Sequence, residues 1–212
     1  MVKINKDGQA IGRKGAETRN RLLVAALELI STMSAEKLTA SGIARAASLA
    51  SQTFYLYFDD VEEVLLHLSA DAAQDTGELL AELDQPWKPE DTRFHAERFV
   101  TAFYRYWDKH RAILNIRNFR GDGGQAAFAE IRNASALPIV GRLAERIRAA
   151  QGQNTLSDRD AFARAVIVYS AIERMAARYA SIHFVSDELD SDDLKRAETD
   201  ILTLLLSPSA SA

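Results

Sequence analysis

Apolar residues recur at three- and four-residue spacing through most of the chain, the repeat of a helix packed on one side. Over 16–33, Leu22, Leu23, Ala26, Leu27, Leu29 and Ile30 share one face and predict a first helix. The run 39–58 predicts two short helices joined by a tight turn. Thr39 is a good N-cap for the first of them, and Ile43, Ala44 and Ala47 give it one narrow apolar face. Ser48 ends that helix or sits in the turn, and Leu49 plugs the gap between the helices. Ala50 or Ser51 opens the second helix, in which Phe54 and Phe58 point inward. Ser51, Gln52, Thr53, Tyr55 and Tyr57 are left facing out, a surface suited to phosphates and base edges.

The helical period then continues. Asp59, Asp60, Glu62 and Glu63 favour a helix start near 60, and Val64, Leu65, Leu68, Ala72, Leu79, Leu80 and Leu83 carry that helix to about 84. Residues 85–89 (QPWKP) form a loop, followed by helices over 90–109 and 111–119 and a break at Gly121–Gly124. A long helix is expected over 125–149, bent at Pro138. Ser157 caps a strongly apolar helix over 158–184, and a last helix spans 191–206. The fold class is therefore all-α. Residues 1–14 read as a flexible basic arm, 15–60 as a helix-turn-helix domain, 61–206 as a helical ligand-binding and dimerisation domain, and 207–212 as a disordered tail.

Composition narrows the class. Four prolines and ten glycines in 212 residues suit long helices, and 47% hydrophobic residues supply an ample core. The absence of cysteine excludes disulfides and thiolate metal sites and fits a reducing cytoplasm. No apolar leader or membrane-length run occurs, so a cytoplasmic protein is expected. The net charge of −4 is unevenly divided. Residues 1–57 hold 8 basic and 4 acidic side chains, whereas 58–212 hold 18 and 26, which sets a basic head on an acidic body.

Little points to catalysis. No nucleophile–base pair stands out, and an enzyme is not expected. His67, His95, His110 and His183 lack metal-ligand spacing, so no metal or cofactor is expected. The acidic loop around 187–193 lacks the spacing of a calcium loop, and its acids read as helix caps. Gly121–Gly124 has no phosphate-binding context.

The pattern Leu27, Thr39, Ile43-Ala44 and Leu49, with Thr53-Phe54-Tyr55-Leu56-Tyr57-Phe58 and Leu65 after an acidic helix start, resembles the DNA-binding domain of the tetracycline-repressor (TetR) family. The likeness is carried by residues 15–67. It implies that Thr39, Thr53, Tyr55 and Tyr57 contact phosphates of double-stranded DNA, with Arg45 beside them. It also implies that Ser51 and Gln52 read bases and that Leu56 can touch a thymine methyl. Arg13 and Lys14 either reach a minor groove or are simply solvated. Three positions depart from the family pattern. Ser48 stands where a turn glycine is usual, Ala50 where a serine cap is usual, and Val61 where a lysine commonly begins the fourth helix. Gly42, inside a helix, costs about 1 kcal/mol relative to alanine.

The family likeness also implies a small-molecule effector pocket in the C-terminal bundle. The aromatic residues of 94–128 suggest a largely apolar effector, with Phe103, Trp107, Asn115, Asn118, Phe119, Tyr169 and Glu173 as candidate lining and Arg117 as a further polar anchor. The last two helices are expected to form a homodimer, with Ala161, Ala165, Ile172, Ala176 and Ala180 along the contact and Ile201, Leu202, Leu204, Leu205 and Leu206 on the last helix. The expected function is a ligand-responsive regulator, a repressor on a palindromic operator. The alternative is a ligand-binding helical dimer whose DNA head has degenerated and which acts through a protein partner, a reading motivated by Ser48, Ala50 and Val61.

Overall fold

The computed structural model describes residues 12–151, 156–179 and 189–207. The basic arm up to residue 11, Ala180, His183, Asp187 and Glu188 of the acidic loop, and residues 208–212 of the tail lie outside the described residues. Those described form helices α1 (Arg13–Ile30), α2 (Ala40–Ala46), α3 (Ser51–Phe54), α4 (Val61–Gln74), α5 (Gly77–Asp84), α6 (Thr92–Asp122), α7 (Ala126–Gln151), α8 (Asp158–Arg178) and α9 (Ser191–Leu206). No strand occurs among them.

The chain divides into two compact units. Unit 1 takes Met1–Ala73 and Ala112–Arg132, and unit 2 takes Gln74–Arg111 and Asn133–Ala212. The division thus falls after α4 has nearly ended, where the sequence pattern places it at 60/61, and unit 1 also claims parts of α6 and α7. In unit 1, α1 packs on α2 and α2 on α3. Leu22, Leu23, Ala26, Ile43, Ala44, Phe54, Phe58, Val64 and Leu65 form its buried core. In unit 2, Phe99, Phe103, Tyr104, Trp107, Leu143, Ile147, Ile172 and Leu202 are buried, and α8 packs on α9.

Several expected elements change. The single helix expected over 60–84 breaks at Asp75-Thr76, so that α4 and α5 are separate. There, the Oδ2 of Asp75 accepts from Lys109 Nζ at 2.6 Å and from His110 Nε2 at 2.7 Å. The break expected near 110 is absent, and α6 runs through it. No glycine or proline intervenes there, and Tyr106 and His110 bridge the point one turn apart, ring centroids 5.3 Å from each other. Pro138 lies inside α7. Helix α8 is described to Arg178, and residues 180–184 of the expected span lie outside the described residues.

The small-residue stripe of α8 is a correction. Ala161, Ala165, Ile172 and Ala176 are buried within unit 2. Small side chains allow the close approach of neighbouring helices of the same chain, so that stripe faces inward. The apolar side chains left outside on α8 are Phe162, Val166 and Ile167, and on α9 Ile201 and Leu204.

Candidate nucleic-acid interface

A four-residue helix has no independent stability, because nucleation costs more than one turn returns. Helix α3 exists because Phe54 and Phe58, both wholly buried, anchor it in unit 1. Burial of each contributes about 1.5–3 kcal/mol. Their rings lie 5.7 Å apart, the Arg19 guanidinium stands 4.8 Å over Phe58, and His67 approaches Phe58 edge-on at 5.8 Å. Burial, then the Arg19 charge, hold the His67 imidazole below its ordinary pKa, against the pull of Glu63 at 3.5 Å.

The segment before α3 is fixed by its helix ends. The Thr39 Oγ1 accepts from Gly42 N at 3.0 Å and caps α2. A Cβ on Gly42 would lie 2.9 Å from that oxygen. Glycine here therefore makes room for the cap, which offsets its poor helix propensity. At the other end of α2, Leu49 N donates to Ala44 O at 2.8 Å and Ser48 N donates to Arg45 O at 3.0 Å. These two bonds are the six-to-one and five-to-two pair of a Schellman motif, and they place Ser48 in the left-handed region with φ 55°. Among the described residues Ser48 alone is a non-glycine with positive φ. Leu49 is part-buried at the turn. Arg21 reaches across from α1 and donates from Nη2 to Ala47 O at 2.5 Å, a cation on a helix C-terminus.

The outward side of this frame is polar and phenolic. Ser51 and Gln52 are exposed, Tyr55 is 50% and Leu56 58% exposed, and Thr53 and Tyr57 are half-buried. Thr39 and Arg45 are exposed on α2, and Arg13 and Lys14 are exposed in the first turn of α1. All ten sequence-predicted DNA residues thus fall in unit 1. Helix α3 opens at Ser51 with Ala50 before it and no side-chain cap, so Ser51 is not engaged as the cap residue. Beyond α3, Asp60 Oδ1 accepts from Glu63 N at 2.8 Å and Glu63 Oε2 accepts from Asp59 N at 2.7 Å. Two of the acids beside the missing lysine are therefore α4 caps. Sequence reasoning missed Arg19 and Arg21 as fasteners of the head; their signal is a pair of arginines beside the apolar stripe of α1.

The candidate effector residues are divided between the units. Phe103, Trp107, Tyr169 and Glu173 belong to unit 2, where Phe103 meets Tyr169 edge-on at 5.6 Å. Trp107 is buried and Glu173 half-buried. Asn115, Asn118 and Phe119 belong to unit 1. There Asn115 is exposed, Asn118 Oδ1 accepts from the buried Arg117 Nε at 3.1 Å, and Phe119 is 71% exposed. That exposure sets Phe119 apart from an enclosed apolar lining. Unit 2 has an open cleft of about 450 Å³ flanked by Thr101, Lys195 and Thr199, and one of about 270 Å³ flanked by Trp87, Arg146 and Leu206. None of the seven candidates lines either.

Unit 2 also holds a polar knot. The Glu82 carboxylate accepts from His95 Nδ1 at 2.7 Å and Arg98 Nε at 2.8 Å. Trp87 donates from Nε1 to Glu82 O at 3.0 Å and stacks on His95 at 5.2 Å, and the Arg146 guanidinium lies 4.7 Å over its ring. Burial alone would raise the Glu82 pKa, but the His95 and Arg98 bonds and charges bring it below the usual value.

Two short helices crossed over a turn, the second anchored by buried phenylalanines and presenting polar and phenolic side chains outward, define a helix-turn-helix DNA-binding head. Residues 22–68 match the family model for bacterial regulatory proteins of the tetR family, and 78–206 match the tetracyclin repressor-like C-terminal domain. The chain belongs to the TetR family of transcriptional regulators. Regulators of this family bind DNA and are typically ligand-responsive repressors.

Solved structures share the fold. A protein of unknown function from Rhodococcus sp. RHA1 superposes with a TM-score of 0.70 at 19% identity, over 90% of this chain and 95% of that one. The fatty acid degradation regulator FadR from Bacillus halodurans gives 0.65 at 16% identity, over 92% and 95%. Salmonella enterica GusR gives 0.63 at 18% identity, over 90% and 95%. No curated protein matches the chain by sequence. No helix among the described residues is long and apolar enough to cross a membrane.

Proposed function

We propose that the protein is a homodimeric repressor that binds a palindromic operator through α3 and is released by a small organic effector taken up in its C-terminal bundle. The observation that carries the DNA reading is the division of α3 and its following turn. Phe54 and Phe58 are spent on anchoring, and Gln52, Tyr55 and Leu56 are left exposed together. The departures at 48 and 50 leave the turn hydrogen bonds of the head in place, which favours an active head over a degenerate one.

In this reading Thr39, Thr53, Tyr55 and Tyr57 hold phosphates, with Arg45, Arg13 and Lys14 adding charge. Ser51 and Gln52 meet base edges, and Leu56 meets a thymine methyl. The dimer forms through the exposed apolar sides of α8 and α9, namely Phe162, Val166, Ile167, Ile201 and Leu204, which are too many large apolar groups to leave in water. A two-fold pair then offers two copies of α3 to two half-sites. An effector that favours a different setting of α4 changes their separation and weakens binding.

Selection of random duplexes by the purified protein, followed by sequencing, tests this. An enriched palindrome is expected, with affinity falling steeply as salt rises, because phosphate contacts release counterions. Tyr55→Phe and Tyr57→Phe are expected to weaken all sequences alike, and Gln52→Ala to change preference between sequences. A Gln52→Ala variant that lost affinity equally on every duplex would overturn the assigned roles. Folded, effector-free protein that enriched nothing would overturn the DNA reading.

A further inference from the structure

Helix α9 is joined to its bundle across an unusual contact. Glu198 shares the buried side of α9 with Leu202 and Leu206 and is 7% exposed. Neither of its carboxyl oxygens finds a hydrogen-bond partner. The Tyr104 hydroxyl of α6 is also buried without one. The two groups interact electrostatically, but they are not aligned as a hydrogen bond.

The surrounding charges are committed elsewhere. On α6, Asp108 accepts from Arg111 Nη2 at 2.6 Å and from the hydroxyl of Tyr179, which follows the end of α8. The Arg111 guanidinium lies 4.6 Å over the Tyr179 ring and donates to Ala176 O and Ala177 O. On α9 itself, the Lys195 ammonium stands 5.2 Å from the Tyr104 ring and 6.0 Å from the Tyr179 ring, and pairs with Asp192 at 3.3 Å. Among the described residues, no cation is paired with Glu198.

An isolated carboxylate in such a place is far costlier than a neutral carboxyl. We propose that Glu198 is a proton-operated latch: α9 docks with this carboxyl protonated and gives up the proton when it undocks. The hold of α9 on its bundle then weakens as the medium passes from mildly acidic to neutral and above. Burial pushes the Glu198 carboxyl up to about 8 from an ordinary 4.5, against a smaller lowering by Tyr104. Burial and the neighbouring Glu198 raise Tyr104 as well, so it stays a neutral phenol throughout. The sign follows. Between these two limits the undocked helix has lost the proton and the docked one has kept it, so each pH unit favours undocking by up to about tenfold. Below the window, or above it, the dependence flattens.

Because α9 also carries Ile201 and Leu204 on its outer side, the latch would reach the dimer. That consequence rests on the dimer reading given above; the latch does not. Hydrogen exchange of the full chain, read by mass spectrometry between pH 5.5 and 7.5 and scaled for intrinsic rates, tests it. Protection of residues 191–206 is expected to fall at least tenfold in the wild type and to stay constant in Glu198→Gln. Equal losses in both, or none in the wild type, would overturn the latch. Should Glu198→Gln not fold, carboxyl carbon NMR of the glutamate-labelled wild type decides. A glutamate titrating far above 4.5 supports the latch, and none above about 6 overturns it. Sedimentation over the same range keeps the readings apart: a chain monomeric throughout ends the dimer reading, while exchange alone decides the latch.

Discussion

Glu82 and Glu198 are two glutamates of one unit, 6% and 7% exposed, and they behave in opposite ways. Glu82 has His95 and Arg98 on its two oxygens, and its carboxyl is held below the ordinary range. Glu198 has no hydrogen-bond partner on either oxygen, and its carboxyl is pushed up to about 8. Burial raises both carboxyls; at Glu82 the donors that meet the oxygens overcome it, and at Glu198 they do not. One glutamate fastens α5 to α6 by being charged, and the other lets α9 dock only by being neutral.

The sharpest way to break this comparison is to make the same substitution at both positions. Glu82→Met is expected to cost about 2–3 kcal/mol, because it orphans His95 and leaves the Arg98 bond unmade. Glu198→Met is expected to be neutral or stabilising by about 1 kcal/mol or more, since an apolar side chain replaces an unpaired polar one. Denaturant unfolding at pH 7 reads both, and destabilisation of similar size at the two sites would erase the distinction.

A second, smaller effect is the pH dependence of the wild type. Glu82 adds stability that is present above 4.5 and lost as pH falls through its depressed folded value. Glu198 adds stability that is complete below 4.5 and lost as pH rises towards 8. Stability is therefore expected to peak in mild acid and to decline towards pH 8 by up to about 1.4 kcal/mol per unit. Glu198→Gln should remove the alkaline decline and keep the acid one. An unchanged alkaline limb in that variant would place its cause elsewhere.

The smallest effect lies in unit 1, where one motif occurs twice with different residues. The end of α6 repeats the bonds found at the end of α2, with Gln125 N donating to Arg120 O and Gly124 N to Gly121 O, both at 3.1 Å. There the left-handed position is Gly124, φ 90°; at α2 it is Ser48. The hydrogen-bonding pattern is alike, and the left-handed position is serine in one and glycine in the other. Ser48→Gly is expected to stabilise the head by about 0.5–1 kcal/mol, read as a small rise in melting temperature. A drop would mean that the Ser48 side chain has a role in the fold that backbone geometry does not explain.

What was legible in the sequence follows the range of the forces involved. The helix-turn-helix, the inward Phe54 and Phe58, the Thr39 and Ser157 caps and the span 191–206 are local patterns, and each occurs as read. Three features were hidden because distant residues determine them. The break at Asp75-Thr76 involves Lys109 and His110, more than thirty residues away. Which side of α8 is buried depends on its neighbours, so the alanine stripe and the Phe162 side could not be told apart by period alone. The polarity of Glu198 gave no hint that it would be buried, since a lone glutamate at a helical inner position usually finds a partner.

Gly42 carries a consequence for how this protein tolerates change. Its missing side chain is the space in which the Thr39 hydroxyl caps α2. The two positions are thus one unit of sequence: a substitution at 42 cannot be judged by helix preference, nor one at 39 by exposure. In a library varied at both sites, alanine at 42 should survive best where residue 39 has already lost its hydroxyl, so that two individually harmful changes mask each other. Single-site tolerance maps of the head would misread that pair as two independent constraints.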